Sequence, residues 1–466
     1  MISFTLREVL ALTGGSLHPD TGATAQLVVD GAVVTDSRES GPGALYVARV
    51  GEHADGHVYV GAARALGAVA ALTGRPVDEL PAVVVDDPEV AFGLLARGVH
   101  DRATSAGMRT VAITGSSGKT STKDLLAQVL ATAGETVAPV GSLNGEVGVP
   151  LTVCRVTSRT RFLVAEMGAR GIGHIAHLTR IAPPHVAIVL NVGTAHLGEF
   201  GSRDAIAQAK GELVEALAPD GVAVLNADDP RVAAMASRTT ARVVTVGVSR
   251  PADVVATDVT LDALGRATFT LHGWGHRLPT TLAVSGAHQV GNALAVVAAA
   301  VECGLTPQDA VRALAGATGT SRWRMEVHER PDGVTVVNDA YNANPDSVAA
   351  ALRALRSIAD TTTPPRRTVA VLGAMLELGE ESPSAHTQVG RLCTELGVDL
   401  VVVVGEGAAA IAEGSDPATT QVVADVDAAY EVLQSLRAGD VVLLKSSRDA
   451  GLRWLGDRLV GLEVPG

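Results

Sequence analysis

The sequence predicts a three-domain α/β protein whose central domain has a mostly parallel sheet and a P-loop-type phosphate site. Short β-branched strands alternate with helical stretches along most of the chain, which is typical of a doubly wound parallel sheet. The loop GSSGKT stands between the strand VAIT and a helix that begins TSTKDLL. A chain of 466 residues is longer than one hydrophobic core usually organises, so about two to four domains are expected.

The loop that follows VAIT has the features of a phosphate cradle. Its glycines let the backbone approach an anion, and N–H groups of the next helical turn point at it. Lys119 can reach the β- and γ-phosphates of a nucleotide, and the Thr120 hydroxyl can bind Mg²⁺. Ile113 stands where the eight-residue P-loop has glycine, and an ordinary turn before a helix is the alternative. The predicted cradle comprises Gly115, Ser116, Ser117, Gly118, Lys119, Thr120 and Ser121.

Composition and charge exclude several classes of protein. The net charge is −13 and no block of basic residues is present, so nucleic acid is not an expected partner. Arg7 and Glu8 interrupt the apolar N-terminal stretch, which excludes a signal peptide, and no apolar run reaches the length of a membrane span. Cys154, Cys303 and Cys393 are far apart and fit buried thiols in a reducing compartment. We therefore expect a cytoplasmic protein.

The succession of elements predicts domains at residues 1–105, 106–315 and 316–466. In the first, LVVDGAVV is expected to form strand, turn and strand. In the second, polar residues such as Glu166 and Asn191 follow the strands, where ligands bind in open α/β sheets, and 252–284 is expected to form antiparallel hairpins. The third has four nearly continuous apolar strands, VTVVND, TVAVLGAM, LVVVVG and DVVLLK, which favour a parallel sheet.

Lysine is rare in this chain. Only four of the 37 basic residues are lysines, namely Lys119, Lys123, Lys210 and Lys445. A lysine retained against this bias can serve as a point charge or a reactive amine, which arginine cannot replace. Chance retention is the alternative for each of them.

Several motifs then carry a resemblance to a known family. The chain contains, in order, TGSSGKT, SLNGEVGVP, AEMGARGIGHI, NVGTAHLGEFGS, AKGEL, AHQVGNALA, WRMEV and NDAYNANPDSVAAAL. Together they resemble the Mur ligase family of peptidoglycan synthesis, over nearly the whole chain. The resemblance implies an ATP-dependent amide ligase that works through an acyl phosphate. It also implies an N-terminal UDP-binding domain, a central ATPase and a C-terminal Rossmann-like α/β domain that closes over the site.

Three further motifs narrow the expected reaction within that family. YNANPDS, VLGAMLELGEES and LLKSSR resemble the members that add D-alanyl-D-alanine to UDP-N-acetylmuramoyl-tripeptide. The absence of a DNPR motif disfavours the ligase that adds the third residue, which stays the alternative enzyme. A P-loop NTPase that couples hydrolysis to partner assembly is the alternative from another class. The expected partners are therefore the two small-molecule substrates, and the expected state is a monomer.

The resemblance also assigns catalytic and metal-binding roles. Asn144 matches a position near the γ-phosphate, and Lys210 matches a carbamylated lysine that bridges two Mg²⁺ ions. Without the family, Asn144 would be an Asx-turn, His196 a capping residue and Lys210 a surface lysine. The predicted catalytic residues are Lys119, Asn144, His196 and Lys210. The predicted metal ligands are Thr120, Glu166, His196 and Lys210.

The remaining implied roles concern the nucleotide and the two substrates. The resemblance assigns Asn292, in a helix expected at 286–304, to the adenine, Arg324 to the phosphates and Asp339 to the ribose of ATP. The dipeptide pocket is expected to contain Asn342, Asn344, Lys445 and Arg448. The UDP contact is expected at Thr35, Asp36, Ser37 and Arg38. On the residues alone, this last cluster is a capping turn at a strand end.

Overall fold

The computed structural model describes residues 1–51, 54–194 and 197–463. These residues form three α/β domains, each built on its own sheet, as the sequence predicts. In this described part of the chain, every helix is too short or too polar to cross a membrane. The boundaries at 105/106 and 315/316 stay predictions.

The N-terminal region is built on a five-stranded sheet with the order β2-β7-β6-β5-β4, in which only β2 is antiparallel to its neighbour. Its strands are β1 (Phe4–Thr5), β2 (Ser16–His18), β3 (Val28–Val29), β4 (Val33–Val34), β5 (Ala44–Val47), β6 (Ala68–Thr73) and β7 (Ala82–Val84). Its helices are α1 (Leu6–Thr13), α2 (Gly22–Gln26), α3 (Val60–Ala65) and α4 (Pro88–Ser105).

The strand, turn and strand predicted for LVVDGAVV are present, but the two strands do not pair with each other. Strand β3 pairs with β1, whereas β4 pairs with β5 of the main sheet. Gly31 lies directly against the backbone of Pro42 and Gly43, and its N–H donates to the Gly43 carbonyl at 2.9 Å. This close approach carries the chain from one sheet into the other, so the Asp30–Gly31 turn does not close a hairpin.

The central region is a nine-stranded sheet with the order β16-β15-β14-β13-β12-β11-β8-β10-β9. Its strands are β8 (Arg109–Thr114), β9 (Thr136–Val137), β10 (Phe162–Glu166), β11 (Val186–Val189), β12 (Val222–Asn226), β13 (Arg242–Gly247), β14 (Val254–Leu261), β15 (Arg266–Gly273) and β16 (His276–Ser285). Strands β8 to β14 are parallel, and β14 to β16 form the predicted antiparallel hairpins. Its helices are α5 (Lys119–Ala131), α6 (Gly148–Val153), α7 (His174–Ile181), α8 (Leu197–Phe200), α9 (Arg203–Glu215), α10 (Pro230–Ala233), α11 (Gln289–Glu302) and α12 (Pro307–Ala315).

Both faces of this sheet are covered by helices, which explains its continuous apolar strands. On β8, Val111 and Ile113 point into the core that contains α5 and α11. Ala112 points into the opposite core, which extends to α4, α7 and α9. Ligands therefore cannot bind on the faces of the sheet, and in open α/β sheets they bind beyond the carboxyl ends of the strands.

The C-terminal region is a six-stranded sheet with the order β17-β18-β22-β19-β20-β21, parallel except for β17. Its strands are β17 (Glu326–Glu329), β18 (Thr335–Asn338), β19 (Thr368–Leu372), β20 (Leu400–Val404), β21 (Thr420–Val423) and β22 (Val441–Lys445). Its helices are α13 (Pro345–Ala359), α14 (Ser382–Glu395), α15 (Ala410–Gly414), α16 (Val426–Leu433) and α17 (Leu452–Leu459). The four predicted strands are present, and the edge strands β17 and β21 complete the sheet.

Candidate active site

A cavity of about 790 Å³ opens beyond the carboxyl ends of the central strands and is closed on its other side by the C-terminal region. The predicted residues that line it are Ser116, Ser117, Gly118, Lys119, Thr120, Ser121, Asn144, Glu166, Lys210, Asn292, Arg324, Asp339, Asn342, Asn344 and Lys445. His196 lies outside the described residues. The other predicted residues, Gly115, Thr35, Asp36, Ser37, Arg38 and Arg448, are not among those that line it.

The phosphate loop joins β8 to α5 in a geometry that requires glycine at one position. Gly118 has φ +80°, and a Cβ there would lie 2.8 Å from Oδ1 of Asn292. The half-buried Lys119 turns back to donate from Nζ to the Gly115 carbonyl at 2.7 Å. Burial lowers the pKa of Lys119, Glu166 opposes this shift and Arg324 adds to it. Lys119 is thus held at the cavity with its ammonium group beside the loop backbone.

Asn191 braces the same loop, a role that the sequence analysis did not assign. Its Oδ1 accepts from the Ser117 N–H at 2.9 Å, and its Nδ2 donates to the Ser117 carbonyl at 3.1 Å. Its backbone carbonyl accepts from the Ser116 N–H at 3.1 Å. Its position after β11, the strand next to β8, is the signal that could have shown this role.

Glu166 ends β10 and is 1% exposed. Its Oε1 accepts from Nδ2 of Asn144 at 2.8 Å, while its buried Oε2 has no hydrogen-bond partner. Because an unpaired buried carboxylate oxygen is costly, this atom fits a cation that arrives with a ligand. Among the residues that the structure describes, no three His, Cys, Asp or Glu side chains cluster as a metal site. Glu166 and the Thr120 hydroxyl therefore suit Mg²⁺ that is also bound by substrate phosphates.

Lys210 on α9 is 3% exposed and lines the cavity, so it is not the surface lysine of the alternative interpretation. Burial, and then the nearby Lys119, lower the pKa of its ammonium group well below the ordinary value. Within residues 1–51, 54–194 and 197–463, no carboxylate forms an ion pair with it. A buried lysine without a counter-ion favours the neutral amine.

The C-terminal region contributes Arg324 and Asp339 to the opposite wall. The Arg324 guanidinium lies over the Tyr341 ring, 4.4 Å from its centre. Asp339 accepts the Met325 N–H on Oδ1 at 3.0 Å. Both residues lie after the segment that connects the central region to the C-terminal region, which we call the crossover. Both line the cavity.

The residues predicted for a dipeptide pocket differ in their contacts and in their exposure to solvent. Lys445 is 3% exposed, and its Nζ lies 2.8 Å from Oδ2 of Asp339 and donates to the Asn342 carbonyl at 2.6 Å. Asn344 caps α13 by accepting the Ser347 N–H at 2.9 Å. Arg448 is exposed at the mouth of this region, 5.9 Å from the centre of the Tyr341 ring. Lys445 is therefore engaged within the chain, whereas the Arg448 guanidinium is exposed to solvent.

In the N-terminal region, the Thr35–Arg38 stretch forms the capping turn of the alternative interpretation. Asp36 caps a short 3₁₀ turn by accepting the Arg38 N–H at 2.9 Å. The Arg38 side chain also pairs with Asp36 and lowers the pKa of that carboxyl to about 2. A UDP contact at this turn stays a prediction.

A second cavity of about 610 Å³ lies between the N-terminal and central regions. Its wall includes Arg49, His57 and Arg75 from the first and Glu146 and His177 from the second. Since Glu146 lines both cavities, the two are adjacent. The sequence analysis did not identify this cavity because its cations are scattered singly along the chain.

Contacts across the first cavity join the central and C-terminal regions. Thr194 donates from its N–H and its hydroxyl to Oδ2 of Asp346, at 2.6 and 2.8 Å. The Ser142 and Tyr341 hydroxyls are 2.7 Å apart. The two regions therefore enclose the cavity from opposite sides.

Sequence comparison assigns this architecture to a family. The Mur ligase family catalytic domain matches residues 31–113, the Mur ligase middle domain matches 113–300, and the Mur ligase glutamate ligase domain matches 323–448. The chain belongs to the Mur ligase family. The predicted family resemblance is thereby confirmed.

Similar Mur ligases extend over the whole chain. The UDP-N-acetylmuramoyl-tripeptide–D-alanyl-D-alanine ligase of Mycobacterium bovis is 47% identical, covering 100% of this chain and 99% of that protein. The crystal structure of MurF from Acinetobacter baumannii superimposes with a TM-score of 0.89 at 32% identity, covering 98% and 99% of the two chains. MurF from Thermotoga maritima in complex with ADP gives a TM-score of 0.79 at 29% identity, covering 92% and 97%. The three-domain fold of this Mur ligase is thus shared with MurF structures.

Proposed function

We propose that this chain is an ATP-dependent ligase that adds D-alanyl-D-alanine to UDP-N-acetylmuramoyl-tripeptide and releases ADP and phosphate. The observation that carries the proposal is the shared cavity, where a phosphate loop and Glu166 from one domain face Arg324 from another. Such a site can gather nucleotide phosphates and a second substrate in one enclosed space. The similarity to MurF proteins over the full chain supports this choice of substrates.

The nucleotide is expected to occupy the cavity with its phosphates on the loop and its base toward α11. Loop N–H groups and Lys119 bind the phosphates, and Arg324 approaches them from the C-terminal region. Asn292 is 7% exposed and lies against Gly118, which suits a contact with the adenine. Asp339 binds the ribose hydroxyls through its carboxylate oxygens, and the contact with Lys445 holds this side chain at the cavity wall.

The metal proposal concerns Thr120, Glu166 and Lys210, together with His196 outside the described residues. Mg²⁺ bound there would neutralise developing charge on the phosphates. The neutral Lys210 amine can add to CO₂, which forms an N–C bond, releases a proton and leaves a carbamate. The carbamate places a hard, negatively charged oxygen ligand where the buried amine was. Such a ligand is consistent with two bound Mg²⁺ ions.

The proposed reaction passes through the acyl phosphate that the family resemblance implies. The acceptor carboxylate attacks the γ-phosphorus, and the bond to the β-phosphate oxygen breaks to give an acyl phosphate and ADP. Lys119 and Arg324 offset the negative charge that gathers in this step. The neutral amine of the dipeptide then attacks the acyl carbon, the C–O bond to phosphate breaks, and the nitrogen loses a proton as the amide forms. Closure of the cavity by the C-terminal region limits hydrolysis of the acyl phosphate.

The two substrates are expected to enter from opposite sides. The UDP-linked acceptor lies along the N-terminal domain, where the second cavity offers Arg49 and Arg75 next to the first. The dipeptide enters beside β22, where the exposed Arg448 can bind its carboxylate and Asn342 its amide. We expect a monomer in the cytoplasm, and described residues of one chain line the cavity from both the central and the C-terminal domain.

The acceptor dependence of ATP turnover tests the proposal. Phosphate release measured with ATP and Mg²⁺ should rise at least about a hundredfold when both UDP-N-acetylmuramoyl-tripeptide and D-alanyl-D-alanine are present, because positioning of the reacting groups supplies most of the rate. Omission of either substrate is the control. ATP turnover that is equally fast without them would favour the P-loop NTPase alternative.

A further inference from the structure

The crossover between the central and C-terminal domains is held by hydrogen bonds to α5, the helix that follows the phosphate loop. Asp124 is 3% exposed, and its Oδ2 accepts the N–H groups of Ser321 at 2.9 Å and Thr320 at 3.3 Å. Its Oδ1 accepts the Ser321 hydroxyl at 3.1 Å. One buried carboxylate therefore holds two consecutive residues of the crossover.

Lys123 completes this attachment. It is 2% exposed, and its Nζ lies 2.5 Å from Oδ1 of Asp124. The same ammonium donates to the Ser321 hydroxyl and the Pro139 carbonyl, both at 3.1 Å. A buried ion pair with every hydrogen bond satisfied is a poor source of net stability, but it specifies one geometry strongly.

The fastened residues lead directly to Arg324. Trp323 and Met325 on either side of it have φ +59° and +52°, a left-handed backbone that side chains of this size rarely adopt. The Trp323 indole donates to both oxygens of the buried Asp457, at 3.1 and 3.0 Å. Strained residues of this kind persist where surrounding contacts fix them and often mark functional sites.

Helix α5 thus connects the phosphate loop with the crossover that leads to Arg324. It begins with Lys119 and Thr120 of the phosphate loop, and Lys123 and Asp124 follow one turn later. Lys119 and Arg324 both line the first cavity, one from the central domain and the other from the C-terminal domain. A rigid helix therefore sets the position of Arg324 relative to the loop.

We propose that Asp124 and its counter-ion Lys123 are positioning residues that hold Arg324 at the phosphate-transfer site. This inference rests on the proposed ligase function. The pair lies behind the loop and acts through the crossover rather than by touching the nucleotide. Its loss should impair the chemical step while ATP still binds to the loop.

The test is a double-mutant cycle on the full-length protein, with acceptor-dependent phosphate release as readout. Lys123→Met combined with Asp124→Ala removes both buried charges together and should lower kcat about ten- to a hundredfold, with a KM for ATP changed less than about threefold. In an Arg324→Ala background, the same double variant should lower kcat by less than about twofold, because the group it positions is gone.

Two further variants keep the outcome interpretable. Ser321→Ala removes one hydroxyl from the attachment and should give a smaller loss of kcat in the same direction, even if the double variant does not fold. Arg97→Met combined with Asp101→Ala removes a matched ion pair on the surface of α4 and should leave kcat unchanged. Equal losses of kcat with and without Arg324, or an unchanged kcat in Ser321→Ala, would overturn the inference. A wild-type protein without acceptor-dependent turnover would instead overturn the proposed function.

Discussion

Replacing Lys119 with Met is expected to lower kcat/KM for ligation about a thousandfold, through loss of charge stabilisation on the transferred phosphate. Its ammonium group is already held at the loop by the Gly115 carbonyl, so little reorganisation precedes the reaction. Steady-state phosphate release with both substrates measures the effect. Arg97→Met, which removes an exposed cation from α4, is the matched control. A loss below about tenfold would contradict a role for Lys119 in phosphate transfer.

Replacing Lys210 with Arg is expected to abolish ligation to about the same extent, because a guanidinium stays charged and cannot form a carbamate. Lys210→Ala should be equally inactive, and added acetate should restore part of its rate by supplying the missing carboxylate. Carbon-13 NMR of the wild-type protein in labelled bicarbonate should show a carbamate carbon that is absent from Lys210→Arg.

The NMR signal and the rescue test the carbamate separately from activity. Lys210→Arg with wild-type turnover in saturating Mg²⁺ would contradict the metal proposal. Inactive variants without a carbamate signal in the wild-type protein would limit Lys210 to a role as a buried amine. An unchanged fold is checked by the thermal unfolding midpoint, since burial of a larger cation at this 3% exposed position can itself destabilise.

The fold was predictable from the sequence wherever the pattern is local and strong. Strands such as β8 and β22 are continuous apolar runs, because both faces of their sheets are covered. Strands β17 and β21 were missed because they are four residues long, lie at sheet edges and contain several polar residues. Strands β3 and β4 join different sheets because of a packed backbone contact at Gly31, which periodicity does not record.

The site shows the same division between local motif and tertiary contact. The loop around Lys119 is a contiguous motif, so its residues could be named, and all of them except Gly115 line the cavity. Lys445 was named from its position after a strand and does line the cavity, but its partners, Asp339 and the Asn342 carbonyl, could not be named because they lie about a hundred residues earlier in the chain. The attachment of Ser321 to Asp124 is likewise a contact between distant segments. Such pairings depend on how the domains are placed, which no local pattern determines.

The identity of the incoming nucleophile tests the central claim most directly. The wild-type protein would be incubated with ATP, Mg²⁺ and UDP-N-acetylmuramoyl-tripeptide, and a panel of nucleophiles would be compared by product mass. The account predicts a pentapeptide product and one phosphate per product with D-alanyl-D-alanine, and a rate at least about a hundredfold lower with single amino acids, which lack the second residue's carboxylate and amide at the correct distance. Ligation of a diamino acid to the UDP-muramoyl-dipeptide, with no product from D-alanyl-D-alanine, would contradict it.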